Sequence, residues 1–377
     1  MSATMIWIQV IGVLVAVACA LPGTFLVLRR MALVSDAISH SILFGIVIGF
    51  MLLNVEVNNP LLIVTAAASG VLTVWLVEAL TNTQRVAADA AIGLVFPVLF
   101  SAAVVLINLQ FRNVHLDVDA VLLGEIAFAP LNRMRVMGVS VPVGVVVMST
   151  MVALNIGFIT LFYKELKLST FDAGMAAALG FSPVVIHYGL MTLVSVTAVG
   201  AFDHVGAILV VALMIAPPAT AYLLTDRLNV MLLLSAAIGA ASAISGYWLA
   251  RGLNVNIAGS MATMTGVFYL LALVFAPQRG LVAQQIEAYQ RRRRFAVDLL
   301  LVHLSQHEGR AEEALENEVA HVRETFNWGA GFAESTLGRA AARGWVARQN
   351  GQLLLTEDGR ERAAALKASG GRLLARV

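Results

Sequence analysis

Apolar positions fill the first three quarters of the chain in long unbroken runs, separated by short polar stretches and lacking the alternation of an amphipathic helix or a half-buried strand. A helix needs roughly 20 apolar residues to cross the hydrocarbon core, because no water is there to satisfy backbone N–H and C=O groups. Runs of about that length lie near 5–28, 37–55, 59–80, 90–110, 138–163, 184–201, 204–224, 230–250 and 258–276, which predicts about nine transmembrane helices. The first run is not a secretory signal: Met1–Leu28 has no basic leading segment, and Arg29-Arg30 follows the apolar stretch, so it is expected to remain in the mature protein.

Beyond residue 285 the pattern changes to that of a soluble fold. Phe295–His307, Ala311–Glu324 and Gly331–Arg343 read as amphipathic helices. Gly344-Trp345-Val346 and Leu353–Thr356 read as two short strands joined through Gln349-Asn350-Gly351, an Asn-Gly hairpin turn, with a closing helix from Glu357 to about Lys367. The expectation is an all-α polytopic membrane domain at 1–285 and a small α+β domain at 286–377.

Composition sharpens this division. Of 377 residues, 59% are hydrophobic and 13% charged, which argues against a soluble protein. Residues 1–285 hold 11 Lys/Arg and 11 Asp/Glu, while the last 92 hold 14 and 12, so charge density rises more than threefold at the boundary. The single cysteine, Cys19, allows neither an internal disulfide nor a thiolate cluster within one chain. The three lysines, Lys164, Lys167 and Lys367, follow no glycine, so there is no phosphate-cradling P-loop and the chain is expected not to hydrolyse ATP itself. Neither a His-Glu-x-x-His metalloprotease motif nor a Gly-x-Ser-x-Gly nucleophile elbow occurs.

Cytoplasmic loops retain Lys and Arg. With Arg29 and Arg30 inside, alternation also places Arg85, Lys164, Lys167, Arg227 and Arg279 inside, against Arg112, Arg133, Arg135 and Arg251 outside. Arg291–Arg294 strengthen the bias and suit anionic headgroups. The N-terminus is therefore expected outside and the tail in the cytoplasm.

Charges at membrane depth usually face a cavity or a partner. Asp36 and His40, four apart, share one helical face and offer oxygen and nitrogen donors that suit Mn, Fe or Zn better than Cu(I). Spacing leaves a plain alternative, with Asp36 capping the helix and His40 bonding nearby backbone. Asp203 and His204 fall at an expected outer turn, suited to a gate or entrance ligand and equally to a solvated loop. His115, Asp117 and Asp119 lie in the outer segment before Glu125, where hydration is the ordinary role and docking the alternative. Asp89 and His187 lie near cytoplasmic ends and read as structural, and the Met pairs 148/151 and 261/264 as packing rather than soft-metal ligands.

Five separated stretches resemble one family, the membrane permeases of manganese, zinc and iron ABC importers. They are Leu28–Ala32 leading into SDAISHSILFG, ADAAIGLVF from Ala88, HLDVDAVLLGE from His115, KELKLSTFDAGMAAALGF from Lys164, and VGAILVVALMIAPPATAYLLT from Val205. The resemblance covers most of residues 10–276 in a consistent order. It implies a type II importer fold in a bacterial inner membrane, with two permeases, identical or related, around a central pathway. Separate ATPase subunits would drive alternating access, and an extracellular or periplasmic metal-binding protein would deliver the ion. It also implies that Asp36 and His40 line the path and bind metal, and that Phe171, Asp172, Ala177, Ala178 and Gly180 belong to a segment docking into an ATPase groove. Phe44 stands where the family often has proline, so the helix break expected there is in question.

The tail resembles a winged helix and, distantly, the DNA-binding part of iron- or manganese-dependent repressors. Its third helix offers only Arg339 and Arg343 beside Glu334, so nucleic acid is not the expected partner and a regulatory or docking module is. His303, His307, Glu308 and His321 are a candidate metal-sensing set, although surface histidines at helical spacing are commonly incidental. The resulting expectation is an importer permease, manganese preferred over zinc or iron, with no permanently bound cofactor. The alternatives are a proton- or sodium-coupled secondary transporter, and a membrane-tethered, metal-responsive DNA-binding regulator.

Overall fold

The computed structural model describes residues 3–53, 61–110, 126–136 and 139–368. The chain packs as two units, Met1–Gly280 and Leu281–Val377. The first contains α1 (Ala3–Leu28), α2 (Ala32–Leu53), α3 (Leu61–Asn82), α4 (Ala88–Gln110), strands β1 (Arg133–Val136) and β2 (Val139–Pro142), α5 (Val143–Leu161), α6 (Tyr163–Phe171), α7 (Ala173–Ala178), α8 (Pro183–Leu224), α9 (Leu228–Leu253) and α10 (Ile257–Phe275). Eight helices among the described residues are long and apolar enough to cross a membrane.

Eight rather than nine arise because the sixth and seventh apolar runs join in α8. Its 42 residues would span about 63 Å if straight, roughly twice the hydrocarbon thickness. Contacts along α1 show that it doubles back. Arg29, just past the end of α1, meets His187 at 3.1 Å. Seventeen residues later, His204 shares with Ile11 the space beside Gly144, both about 3.5 Å from where a Cβ would stand. By Met214 the chain has returned: a Cβ added at Gly23 would lie 2.1 Å from the Met214 carbonyl oxygen. The reversal centres on Gly206 (φ 77°, ψ 166°), a backbone region essentially reserved for glycine. The outer turn expected at Asp203-His204 is thus corrected: both residues are helical, and the break falls two positions later.

A second correction concerns the run at 138–163. It opens as β2, antiparallel to β1 with Arg133 opposite Pro142, and becomes helical only at Val143. Helix packing elsewhere uses small residues, since lipid tails give no hydrophobic drive for helices to associate and close backbone contact must supply the attraction. A Cβ at Gly246 would stand 2.3 Å from Met261 Cα. Buried hydroxyls are satisfied by backbone carbonyls, within a helix where Thr24 donates to Ala20 and Thr73 to Ser69, and between helices where Ser195 donates to Ala67. Asn155 bonds α1 and α8 at once, donating to the Ala18 carbonyl at 2.8 Å and accepting from Thr197 at 3.1 Å. Met148 and Met261 are fully buried in this core.

The tail unit contains α11 (Leu281–His307), α12 (Glu313–Glu316), α13 (Val319–Thr325), α14 (Ala330–Ala342), strands β3 (Val346–Gln349) and β4 (Gln352–Leu355), and α15 (Glu357–Ala368). The single helix expected over Ala311–Glu324 is split, because Glu318 leaves helical geometry to bridge Gln352, and Leu353 N–H donates to the Asn317 carbonyl. The hairpin turn has positive φ at both Asn350 (51°) and Gly351 (84°), as a type I′ turn requires. Val297, Leu300, Leu301 and Leu304 of α11 pack on Leu337, Val346, Leu353 and Leu355 to form the tail core.

Candidate metal site and coupling segment

Helix α2 begins at Ala32, so Asp36 lies one turn inside it and does not cap its start. Asp36 Oδ1 and His40 Nε2 are 3.3 Å apart, with side chains 41% and 30% exposed. Ile38 on the opposite face and Ser35 and Ser39 beside the pair are buried, which leaves the carboxylate and imidazole together on a narrow, partly uncovered stripe. The His40 ring stacks on Phe96 at 5.4 Å and meets Phe100 edge-on at 6.1 Å. Neither Asp36 nor His40 makes another hydrogen bond among the described residues, so both keep lone pairs to offer. Ile38 and Ser195 both crowd Gly70, which sets the pair level with the middle of the first limb of α8. Helix α2 continues without interruption through Phe44 to Leu53, so the break questioned at that position is absent.

The segment joining α5 to α8 consists of α6 and α7. Asp172 caps α7, its carboxylate accepting from Met175 N–H at 2.8 Å. Gly180 (φ 86°) ends that helix, with Phe181 N–H returning to the Ala176 carbonyl. Leu166 and Ala176 are buried, whereas Phe171, Met175, Ala177, Ala178 and Leu179 are exposed and form an uncovered apolar ridge.

That segment is clamped from below by polar groups on three other elements. Arg29 donates to Ser169 Oγ at 2.9 Å and Thr170 Oγ1 at 3.1 Å, and its third contact is His187 Nδ1. His187 Nε2 meets Glu78 Oε1 at 2.6 Å, and the Tyr188 hydroxyl donates to Glu78 Oε2 at 2.6 Å. The clamp draws the ends of α1 and α3, the start of α8 and α6 to one end of the unit.

The model of a family described as the ABC 3 transport family matches residues 1–276, the entire first unit but for its last few residues. The chain belongs to this family. Among its relatives, the zinc transport system membrane protein TroD of Treponema pallidum is 46% identical over 93% of this chain and 96% of its own length. The manganese transport system membrane protein MntD of Bacillus subtilis is 48% identical over 74% of this chain and 95% of its own. A solved structure, PsaBC from Streptococcus pneumoniae in complex with Fab, is similar with a TM-score of 0.61 and 26% identity, covering 74% of this chain and 94% of that one. This chain is accordingly a multi-pass membrane permease of a metal-transporting ABC system.

The four residues grouped as metal ligands from sequence occupy two places. Asp203 is 87% exposed while His204 is buried, and His204 Nδ1 lies 3.9 Å from Asp203 Oδ2. They lie about 13 Å farther along α8 than Ser195, with which the Asp36–His40 pair is level. His115, Asp117, Asp119 and Glu125 fall outside the described residues. Sequence reading missed Phe96 and Phe100, which look like ordinary apolar positions of a span. It also missed the link from His187 to Glu78, 109 positions away.

Proposed function

We propose that this chain is the permease of an ABC importer for a divalent transition metal, in which Asp36 and His40 hold the ion on its way through the membrane. The observation that supports this most directly is their placement. A carboxylate and an imidazole stand 3.3 Å apart within a membrane-spanning helix, partly exposed on a single chain and bonded to nothing else among the described residues. Facing lipid, such groups would cost several kcal/mol; facing a second permease across a pathway, they form half or more of an oxygen–nitrogen site. A homodimer or a pair of related permeases satisfies this equally. The rings of Phe96 and Phe100 fix the imidazole and keep acyl chains from it.

The apolar ridge of Phe171, Ala177 and Ala178, bounded by Asp172 and Gly180, is the surface offered to a separate ATPase subunit. Small residues allow close backbone approach, and the Arg29–Glu78 clamp passes displacement of α6 directly to α1, α3 and α8. A solute-binding protein delivers metal at the opposite end. In this reading the clamped end is cytoplasmic, the N-terminus is outside, and the tail is a cytoplasmic winged-helix-like module. Its order of helices followed by a hairpin, with the Glu318 bridge adding a third short edge, supports that description. Asp203 and His204 at the Gly206 reversal then lie toward the entrance.

Manganese is the proposed cargo, since a carboxylate–imidazole pair suits it and a manganese-system relative is 48% identical. The test is radiometal uptake into liposomes by the permease reconstituted with its ATPase and binding protein, with Mn, Zn and Fe in competition. ATP-dependent Mn uptake that Asp36→Ala or His40→Ala abolishes, in complexes that still assemble, is the expected result. Uptake retained in either variant sinks the ligand assignment, preferential uptake of zinc or iron overturns the choice of metal, and uptake by the permease alone on a proton gradient overturns the ABC mechanism.

A further inference from the structure

The tail unit gathers its own set of metal-ligating groups. On α11, His303 and His307 stand one turn apart with ring centroids separated by 4.7 Å. Glu316, the last residue of α12, turns its carboxylate onto them: Oε2 lies 3.6 Å from His303 Nε2 and 3.2 Å from Nε2 of His321 in α13. One donor atom each from His303, His307 and Glu316 lie within 4.8 Å of one another. The cluster is largely enclosed, with side chains of His303 and Glu316 only 10% and 20% exposed. Glu308, grouped with these histidines from sequence, instead pairs with Arg360 at 2.6 Å and is replaced in the cluster by Glu316.

We propose that His303, His307, Glu316 and His321 bind one divalent transition-metal ion, through three imidazoles and one carboxylate. Ion pairing within the tail is the simpler account, and it leaves a defect. Glu316 serves His303 and His321 through its carboxylate, and His303 also through its carbonyl at 3.4 Å, but the Nδ1 of His307 is buried with no hydrogen-bond partner among the described residues. An unmet buried polar atom costs about 1–3 kcal/mol. A bound ion gives every ring a partner and neutralises the carboxylate. Binding would exchange the 3.4 Å contact of His303 Nε2 with the Glu316 carbonyl for a bond to the ion. Tetrahedral zinc with bonds of about 2.0 Å needs neighbouring donors about 3.3 Å apart, so side-chain rotations of an ångström or so close the site. Three nitrogens and one oxygen favour zinc or cobalt(II) over calcium or magnesium.

Binding would tie α11 to α12 and α13. The Asn317–Glu318 link follows directly and reaches the hairpin, so the ion would stiffen the tail as a whole. This claim does not depend on the transport reading, and the experiment keeps the two apart. Full-length protein carrying Asp36→Ala and His40→Ala, which removes the membrane pair, is purified in detergent and titrated with Zn(II) and Co(II) against a chromophoric chelator. One equivalent of metal is expected, with Co(II) absorption typical of nitrogen–oxygen ligation. Adding His307→Gln or Glu316→Gln lowers the affinity at least tenfold, while Glu308→Gln leaves it unchanged. His307→Gln decides the matter if Glu316→Gln unfolds the tail, because the Nδ1 of His307 has no protein bond to lose. Absence of stoichiometric binding, or undiminished binding in His307→Gln, overturns the proposal.

Discussion

Two carboxylate–imidazole pairs of the membrane unit, Asp36–His40 and Glu78–His187, have almost the same composition. Glu78 accepts from Tyr188 with one oxygen and meets His187 with the other, while the second nitrogen of His187 meets Arg29. Each polar atom of that pair has a close polar neighbour, although His187 Nε2 meets Glu78 as a charge contact outside hydrogen-bond geometry, and the product is a joint between helices. In Asp36–His40 each group has only the other as a polar partner among the described residues, at a looser 3.3 Å, and part of each is uncovered. On the proposed reading, saturation of the remaining lone pairs is what separates a structural pair from a ligand pair. A metal can enter only where the protein has left donors unspent.

The sharpest way to break this contrast is to delete one member of each pair and read uptake and stability separately. Asp36→Ala should reduce uptake at least about a hundredfold, since even outer-shell partners of a metal site are worth 10–100-fold. Its thermal stability should stay within about 0.5 kcal/mol of the parent, because the side chain has no structural bond beyond His40. Glu78→Ala should do the reverse in kind. It strands the His187 ring and the Tyr188 hydroxyl, and breaking such a partly buried pair costs on the order of 2–3 kcal/mol, which denaturant unfolding in detergent would show. Equal destabilisation by both variants would erase the distinction.

How far the chain reveals these two pairs differs for a physical reason. Asp36 and His40 are one helical turn apart, so helix geometry alone puts them together, and a charged residue within an apolar run stands out. Glu78 and His187 meet only through tertiary packing, which no local spacing encodes. The same limit explains Glu316, which reaches His303 and His321 from a separate short helix. The Asn350-Gly351 turn was legible because its residues are demanded by the backbone itself. At α8 the polar Asp203 and His204 drew the turn to themselves, whereas the requirement for positive φ falls on Gly206, an inconspicuous glycine among many.

That glycine supplies the next prediction. Gly206→Ala places a Cβ on a residue at φ 77°, ψ 166°, and such strain costs about 1–3 kcal/mol. The two limbs of α8 carry Ser195 and Thr197 on one side of the reversal and Met214 on the other. Splaying them disturbs packing around both pairs, so lower stability should come with a partial loss of uptake. A variant with unchanged melting temperature would show that the reversal is not fixed by this residue.

The smallest expected effect lies at the far end of the clamp. Asp172→Ala removes the side-chain acceptor for Met175 N–H, a capping loss of about 1 kcal/mol confined to the six-residue α7. It leaves Arg29, Glu78 and His187 in place, and Asp36 and His40 untouched. Global unfolding should therefore hardly change, because α7 is exposed over most of its surface and contributes only Ala176 to the core. What should fall, severalfold, is the permease-dependent stimulation of the partner ATPase, since the ridge of Ala177 and Ala178 would no longer be held in a fixed orientation. Asp172→Asn, which keeps a capping oxygen, should restore it. If the alanine and asparagine variants stimulate the ATPase equally poorly, the carboxylate acts by its charge on the partner rather than by ordering α7, and the ridge is not the contact that carries the stroke.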